Sequence, residues 1–187
     1  MLDVRPLGLD GVVEIRPRRF GDDRGFFSET WSRGALAEAG FDLDFVQDNH
    51  SYSAAKGVLR GLHFQTPPSA QDKLVRVSRG SIYDVAVDIR RGSPTYGRWI
   101  GLTLSAELWN QILVPKGFAH GFVTLEADTE VQYKVTAPYD AARDRGLYWN
   151  DPAIGIDWPV AAGEVQLSDK DRAAPVLADV ESGFSQE

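Results

Sequence analysis

The chain has 187 residues, 43% of them hydrophobic, which is enough for one well-buried core and short for two, so a single domain over residues 1–187 is expected. A formal charge of -7 with no basic stripe argues against nucleic acid as a partner, and the absence of cysteine excludes disulfides, a thiolate nucleophile and a thiolate metal site. Met1 to Pro6 lack the apolar run of a signal peptide and no stretch approaches a membrane span, so a cytoplasmic protein with no membrane partner is expected.

Eighteen glycines and ten prolines are spread along the chain, which suits short strands joined by turns. In chain order, the first candidate strands are residues 12–16 and 25–31. A short helix follows: Ser32 can cap it, Leu36 and Ala39 share a face, and Gly40 stands where a C-terminal cap belongs. Residues 58–64 read as a strand. Residues 73–77 and 82–89, joined by the turn Ser78-Arg79-Gly80-Ser81, read as a hairpin. In its second arm Tyr83, Val85, Val87 and Ile89 alternate with Asp84 and Asp88, the pattern of a half-buried strand. Further strands are expected at 99–104, 110–114, 120–125 and 130–135, a spacing that indicates a barrel or sandwich. From about Arg172 a weak C-terminal helix and a loose tail over 172–187 are expected. The arginine clusters at 16–19 and 90–91 read as solvated faces.

The chemistry is concentrated in a few strings. Alternation in Arg60-Gly61-Leu62-His63-Phe64-Gln65 and Gly117-Phe118-Ala119-His120-Gly121-Phe122 lets both imidazoles point into one barrel mouth. By spacing alone His63 fits a structural or a catalytic role equally, and His50 reads as structural. Histidine serves as a base near neutral pH when a carboxylate holds its far nitrogen. Leu167-Ser168-Asp169-Lys170-Asp171 offers such a carboxylate, or reads as a surface turn. Tyr133 and Tyr139 fit either packing or a proton donor.

Six strings in order resemble the dTDP-4-dehydrorhamnose 3,5-epimerase family. They are residues 24–30, 47–51, 58–65, 115–122, 151–159 and 168–171, so the likeness runs from about residue 20 to 171. The resemblance implies an all-β, cupin-type double-stranded β-helix, or jelly roll, with a few short helices. It implies His63 as proton acceptor, Asp171 as the carboxylate that orients it, Lys73 as the cation at an enolate oxygen, and Tyr133 as the acid that returns a proton from the opposite face. His120 would face the substrate and Tyr139 would stack on thymine, while Arg24, Phe27, Glu29, Gln47, Asn49, Arg60 and Lys170 match positions that hold the nucleotide sugar. Asp144 stands in place of a family glutamate, and Leu108 in place of an asparagine after Glu107. The family also implies a homodimer.

The implied reaction inverts carbons 3 and 5 of dTDP-4-dehydro-6-deoxy-D-glucose to give dTDP-4-dehydro-L-rhamnose, an isomerase step of dTDP-L-rhamnose biosynthesis. Both carbons flank one ketone, so one base and one cation serve both centres, and no cofactor is required. There is no glycine fingerprint for a dinucleotide. The alternatives are a single-centre epimerase or a 3,4-ketoisomerase on a related dTDP-4-keto-6-deoxyhexose, a metal-dependent cupin, and a non-catalytic binding jelly roll. A metal site is disfavoured because Gln65 stands where a His-x-His pair needs its second histidine.

Overall fold

The computed structural model describes residues 2–186. The first strands are β1 (Asp3–Pro6), β2 (Val13–Arg16), β3 (Phe20–Asp22) and β4 (Gly25–Phe27), followed by helix α1 (Arg33–Glu38). Then come β5 (Gln47–Ser53), β6 (Leu59–Gln65), β7 (Lys73–Arg79), β8 (Ser81–Asp88) and β9 (Trp99–Ser105). The last strands are β10 (Gln111–Val114), β11 (Phe118–Thr124), β12 (Thr129–Val135) and β13 (Asp144–Gly146), before the short helix α2 (Asp169–Arg172). One sheet has the order β1-β2-β10-β7-β12-β5, the other β13-β6-β11-β8-β9, and β3 and β4 form a separate two-stranded sheet. All named strand pairs are antiparallel, and the two sheets form the jelly roll. No helix among the described residues is long and apolar enough to cross a membrane.

Three apolar layers hold the sheets in place. Val75, Val77, Ile112 and Val131 of the first sheet meet Ile82, Ala86, Leu104 and Phe122 of the second. The outer face of the second sheet, with Val85, Val87 and Ile89, is covered by Trp149, Ile154, Ile156 and Trp158. Leu36 of α1 closes the outer face of the first sheet over Ile15, Leu74 and Leu113. Burial of these side chains at about 25 cal/mol per Å² supplies the driving force for the fold.

The helix forms as the sequence predicts: Ser32 Oγ accepts from the Ala35 amide, Leu36 is buried, and Gly40 has φ +97°. Four other expectations are corrected. Strands β7 and β8 are not a hairpin, because β7 pairs with β10 and β12 while β8 pairs with β9 and β11. The turn between them is a corner that carries the chain from one sheet to the other, and alternation within a strand does not encode its partner. Nor is β8 half-buried: Asp84 and Asp88 share the barrel-interior face with Ile82 and Ala86 and are fully enclosed, while the C-terminal segment covers the opposite face with Val85 and Val87. Residues 172–186 hold only one short 3-10 helix, Leu177–Asp179, in place of a longer helix, and the tail is not loose. Helix α2 ends at Arg172, Val180 and Ser182 are buried, and the Gln186 amide donates to the Arg91 carbonyl; Glu187 lies outside the described residues. Arg90 is not a solvated residue, for it pairs with buried Asp88 at 2.7 Å and lies 4.7 Å from the Phe118 ring centroid.

Strand β5 has no counterpart in the sequence reading. Its residues, Gln-Asp-Asn-His-Ser-Tyr-Ser, are polar on both faces, so no hydrophobic period marks it. It sits at the edge of the first sheet, where Gln47, Asn49 and Ser51 face a cavity instead of the core. The expected strand at 25–31 is shorter, Gly25–Phe27, and belongs to an exposed two-stranded hairpin.

Candidate active site

Strands β6 and β11 run side by side with His63 opposite His120. A register shift follows, so that Arg60 pairs with Phe122. On a regular strand Arg60 and His63, three residues apart, would face opposite sides. The irregularity at Gly61 turns both into one cavity of about 440 Å³. The two backbones approach too closely for a side chain there: a Cβ on Gly61 would lie 2.6 Å from Gly121 Cα.

His63 Nε2 lies 2.5 Å from Asp171 Oδ1. Asp171 belongs to α2, whose Ser168 hydroxyl accepts from the Asp171 amide, and its second oxygen accepts from the Gly61 amide at 3.4 Å. Burial pushes the Asp171 carboxyl up, but the hydrogen bond and charge of His63, with the Gly61 and Ser168 contacts, hold it below the ordinary value. A carboxylate in this position fixes the orientation of the imidazole and leaves Nδ1 as the ring nitrogen without a partner among the described residues.

Lys73 opens β7 and is buried; its Nζ donates to the His63 carbonyl at 3.2 Å. Burial lowers its ammonium to about 8, against the upward pull of Asp144 and Asp84. His120 Nε2 lies 2.8 Å from Oδ2 of Asp84, which is fully enclosed. Burial raises the Asp84 carboxyl, opposed by His120 and Lys73. Tyr133 reaches the cavity from the opposite sheet, and burial pushes its phenol up. Arg60 Nη2 is steadied at the rim by the Tyr52 carbonyl at 3.2 Å and the Ser53 hydroxyl at 3.4 Å.

A second recess of about 460 Å³ shares His63, Lys73, Tyr133 and Lys170 with the first and adds Gln47, Asn49, Tyr139 and Asp144. Its polar groups are joined: Gln47 Nε2 donates to Asn49, the Tyr139 amide donates to Gln47 Oε1, and Asp144 accepts from the Tyr139 hydroxyl and from Lys170. The structure therefore gathers His63, Asp171, Lys73, His120, Tyr133, Arg60, Gln47, Asn49, Tyr139, Asp144 and Lys170 around one continuous site. It does not bring Arg24, Phe27 or Glu29 there. Arg24 lies in the β3–β4 hairpin paired with Asp22, Phe27 is 71% exposed, and Glu29 is exposed just beyond. His50 stays on the outer side of β5, 3.1 Å from Glu130.

Sequence reasoning missed Asp84, Ser51 and the capping role of Ser168. Asp84 is readable as a partner for His120 only once β8 is known to pair with β11. Among the described residues, no three His, Cys, Asp or Glu side chains cluster as a metal ion requires. The arrangement sets a base, a buried ammonium and a phenol around one cavity, the groups that proton transfer beside a carbonyl needs.

The chain is similar to known proteins over nearly its whole length. The profile of the dTDP-4-dehydrorhamnose 3,5-epimerase family matches residues 6–179. The enzyme of that name from Sinorhizobium fredii is 54% identical over 95% of this chain and 91% of its own, and that from Pseudomonas aeruginosa is 51% identical over 94% and 96%. The crystal structure of a dTDP-6-deoxy-D-glucose-3,5-epimerase from Legionella pneumophila Philadelphia 1, in complex with dTDP-4-keto-L-rhamnose, aligns with a TM-score of 0.95 at 43% identity, covering 100% of both chains.

Proposed function

The chain belongs to the dTDP-4-dehydrorhamnose 3,5-epimerase family, and from that premise we propose how its own residues invert carbons 3 and 5 of dTDP-4-dehydro-6-deoxy-D-glucose. The observation that carries the reading is the His63–Asp171 pair at 2.5 Å beside buried Lys73, with Tyr133 on the facing sheet. A proton on carbon beside a ketone is acidic because its removal leaves charge on oxygen. His63 takes that proton, and Asp171 stabilises the imidazolium that results. Lys73 and His120 meet the developing oxyanion, in a buried setting where charge acts more strongly than in water. Tyr133 then delivers a proton to the other face of the same carbon, which inverts it. Once His63 has given its proton to solvent and Tyr133 has taken one up, the sequence repeats at the second centre with the same groups, because carbons 3 and 5 share the carbon-4 ketone. No redox cofactor or metal takes part in these steps.

Arg60 and Lys170 supply cations for the diphosphate, Gln47 and Asn49 supply polar contacts to the nucleotide, and Tyr139 offers an exposed ring for thymine. Asp144, already held by Tyr139 and Lys170, positions those two residues. Arg24, Phe27 and Glu29 project on and beside the β3–β4 hairpin and serve the nucleotide of a neighbouring subunit, in a homodimer that works in the cytoplasm. Incubation with dTDP-4-keto-6-deoxyglucose in heavy water tests the reaction. Deuterium at both carbons 3 and 5 is expected; label at one alone would make the protein a single-centre epimerase, and no label would overturn the reading.

A further inference from the structure

Three buried side-chain polar atoms have no hydrogen-bond partner among the described residues: Trp31 Nε1, Trp149 Nε1 and Ser51 Oγ. Of these, Ser51 alone lines the cavity that holds His63 and Tyr133. A buried hydroxyl left unmatched destabilises the folded state, and alanine of nearly the same shape would not. The active-site wall thus carries a donor and acceptor that no group among the described residues uses.

The strand fixes where that hydroxyl stands. In β5 the residues Asn49, Ser51 and Ser53 share a face. Asn49 lies opposite Tyr133 across the ladder, Ser51 opposite Val131, and Ser53 accepts from Arg60. Ser51 therefore stands between the group assigned to reprotonate the sugar and the group assigned to hold its diphosphate. In the substrate the diphosphate is on carbon 1 and the reacting centres, carbons 3 and 5, are each two bonds from it. The ring oxygen that links carbons 1 and 5 only accepts, which leaves the side between carbon 1 and carbon 3 for a group that also donates. Carbon 2 lies between them, and its hydroxyl both donates and accepts, as a serine hydroxyl does. We infer that Ser51 is a substrate-binding residue whose hydroxyl exchanges a hydrogen bond with the 2-hydroxyl of the hexose. The inference rests on the functional reading above and adds a contact that orients the ring at carbon 3.

Calorimetry with dTDP, dTDP-glucose and the 2-deoxy analogue of dTDP-glucose, on the parent and on Ser51→Ala, tests it. The variant should bind dTDP-glucose about 2- to 12-fold more weakly, as loss of one neutral hydrogen bond implies, and bind dTDP unchanged. The 2-deoxy analogue should bind parent and variant alike, since it already lacks the partner. Without ligand the variant should melt at the parent temperature or above it, whereas a serine that holds the fold together would lower it. Equal weakening for dTDP and dTDP-glucose would move the contact to the diphosphate and overturn the sugar assignment, as would a variant that weakens the 2-deoxy analogue. A parent that binds both ligands beside an unaffected variant overturns Ser51 alone. A parent that binds neither overturns the functional reading and this contact with it.

Discussion

His63 and Asp171, 108 positions apart, meet with 2.5 Å between imidazole Nε2 and carboxylate Oδ1. The contact ties α2 to β6, so the base is oriented by a segment that follows all the barrel strands in the chain. His63 on β6 and Tyr133 on β12 stand on different sheets of the barrel, which makes their two roles separable.

His63→Ala should abolish both solvent exchange at carbons 3 and 5 and net epimerisation, because no enolate forms without a base. Tyr133→Phe should retain part of the exchange while suppressing inversion, since His63 returns the proton to the face it came from. Proton NMR in heavy water distinguishes the two. Inversion at the parent rate by Tyr133→Phe, or normal exchange by His63→Ala, would show the roles to be wrongly assigned.

Lys73 is held at about 8 by burial, below its ordinary 10.5. If its ammonium stabilises the enolate oxygen, kcat/KM should fall as pH rises through about 8 in the free enzyme. Lys73→Arg, whose guanidinium stays charged, should lower the rate but lose that alkaline limb. Stability should move in the opposite direction. Between about 8 and 10.5 the unfolded chain keeps the Lys73 proton that the folded one releases, so this residue's contribution to stability rises with pH across that window. A flat kcat/KM profile from pH 7 to about 10 would contradict the assignment.

Arg60→Ala should weaken binding of dTDP by about 1.5–3 kcal/mol, roughly 10- to 150-fold, the range for a charge-assisted contact. Its guanidinium is anchored by only two acceptors on β5, so the fold should be little affected. Unchanged affinity by calorimetry would remove Arg60 from the site.

Gly61→Ala should be strongly destabilising. The residue has φ +129°, and an added Cβ would stand 2.6 Å from Gly121 Cα and 2.9 Å from the His120 carbonyl. Neither backbone atom yields without moving β11, so a loss of about 2–5 kcal/mol is expected from strain and overpacking together. Urea unfolding measures it, and a change under about 1 kcal/mol would mean that the two strands separate easily.

Light scattering at micromolar concentration should report a homodimer. Phe20, Phe26 and Phe27 are more than half exposed on one small hairpin, an apolar surface that a partner would cover. Phe20→Asp should shift the protein towards monomer and weaken nucleotide binding together. A monomeric parent with full affinity for dTDP would refute the shared site.

The short-range chemistry of the chain was legible in its sequence. Alternation marked the apolar strands because a residue's side of a strand depends only on its position along it. Ser32, Leu36 and Gly40 marked α1 because capping is local. The strings around His63, His120 and Asp171 carried the family likeness, and the cavity unites their side chains. What the tertiary structure alone decided is pairing across distance. It sent β7 and β8 to different sheets, enclosed Asp84 against His120, and pinned the 180–186 segment beside Arg91. It also made a strand of the polar segment Gln47–Ser53, which has no apolar period because its inner face meets the ligand cavity instead of the core. The unmatched hydroxyl of Ser51 is of this kind: a serine in a sequence has no burial, and only packing by distant strands takes it out of water without giving it a partner.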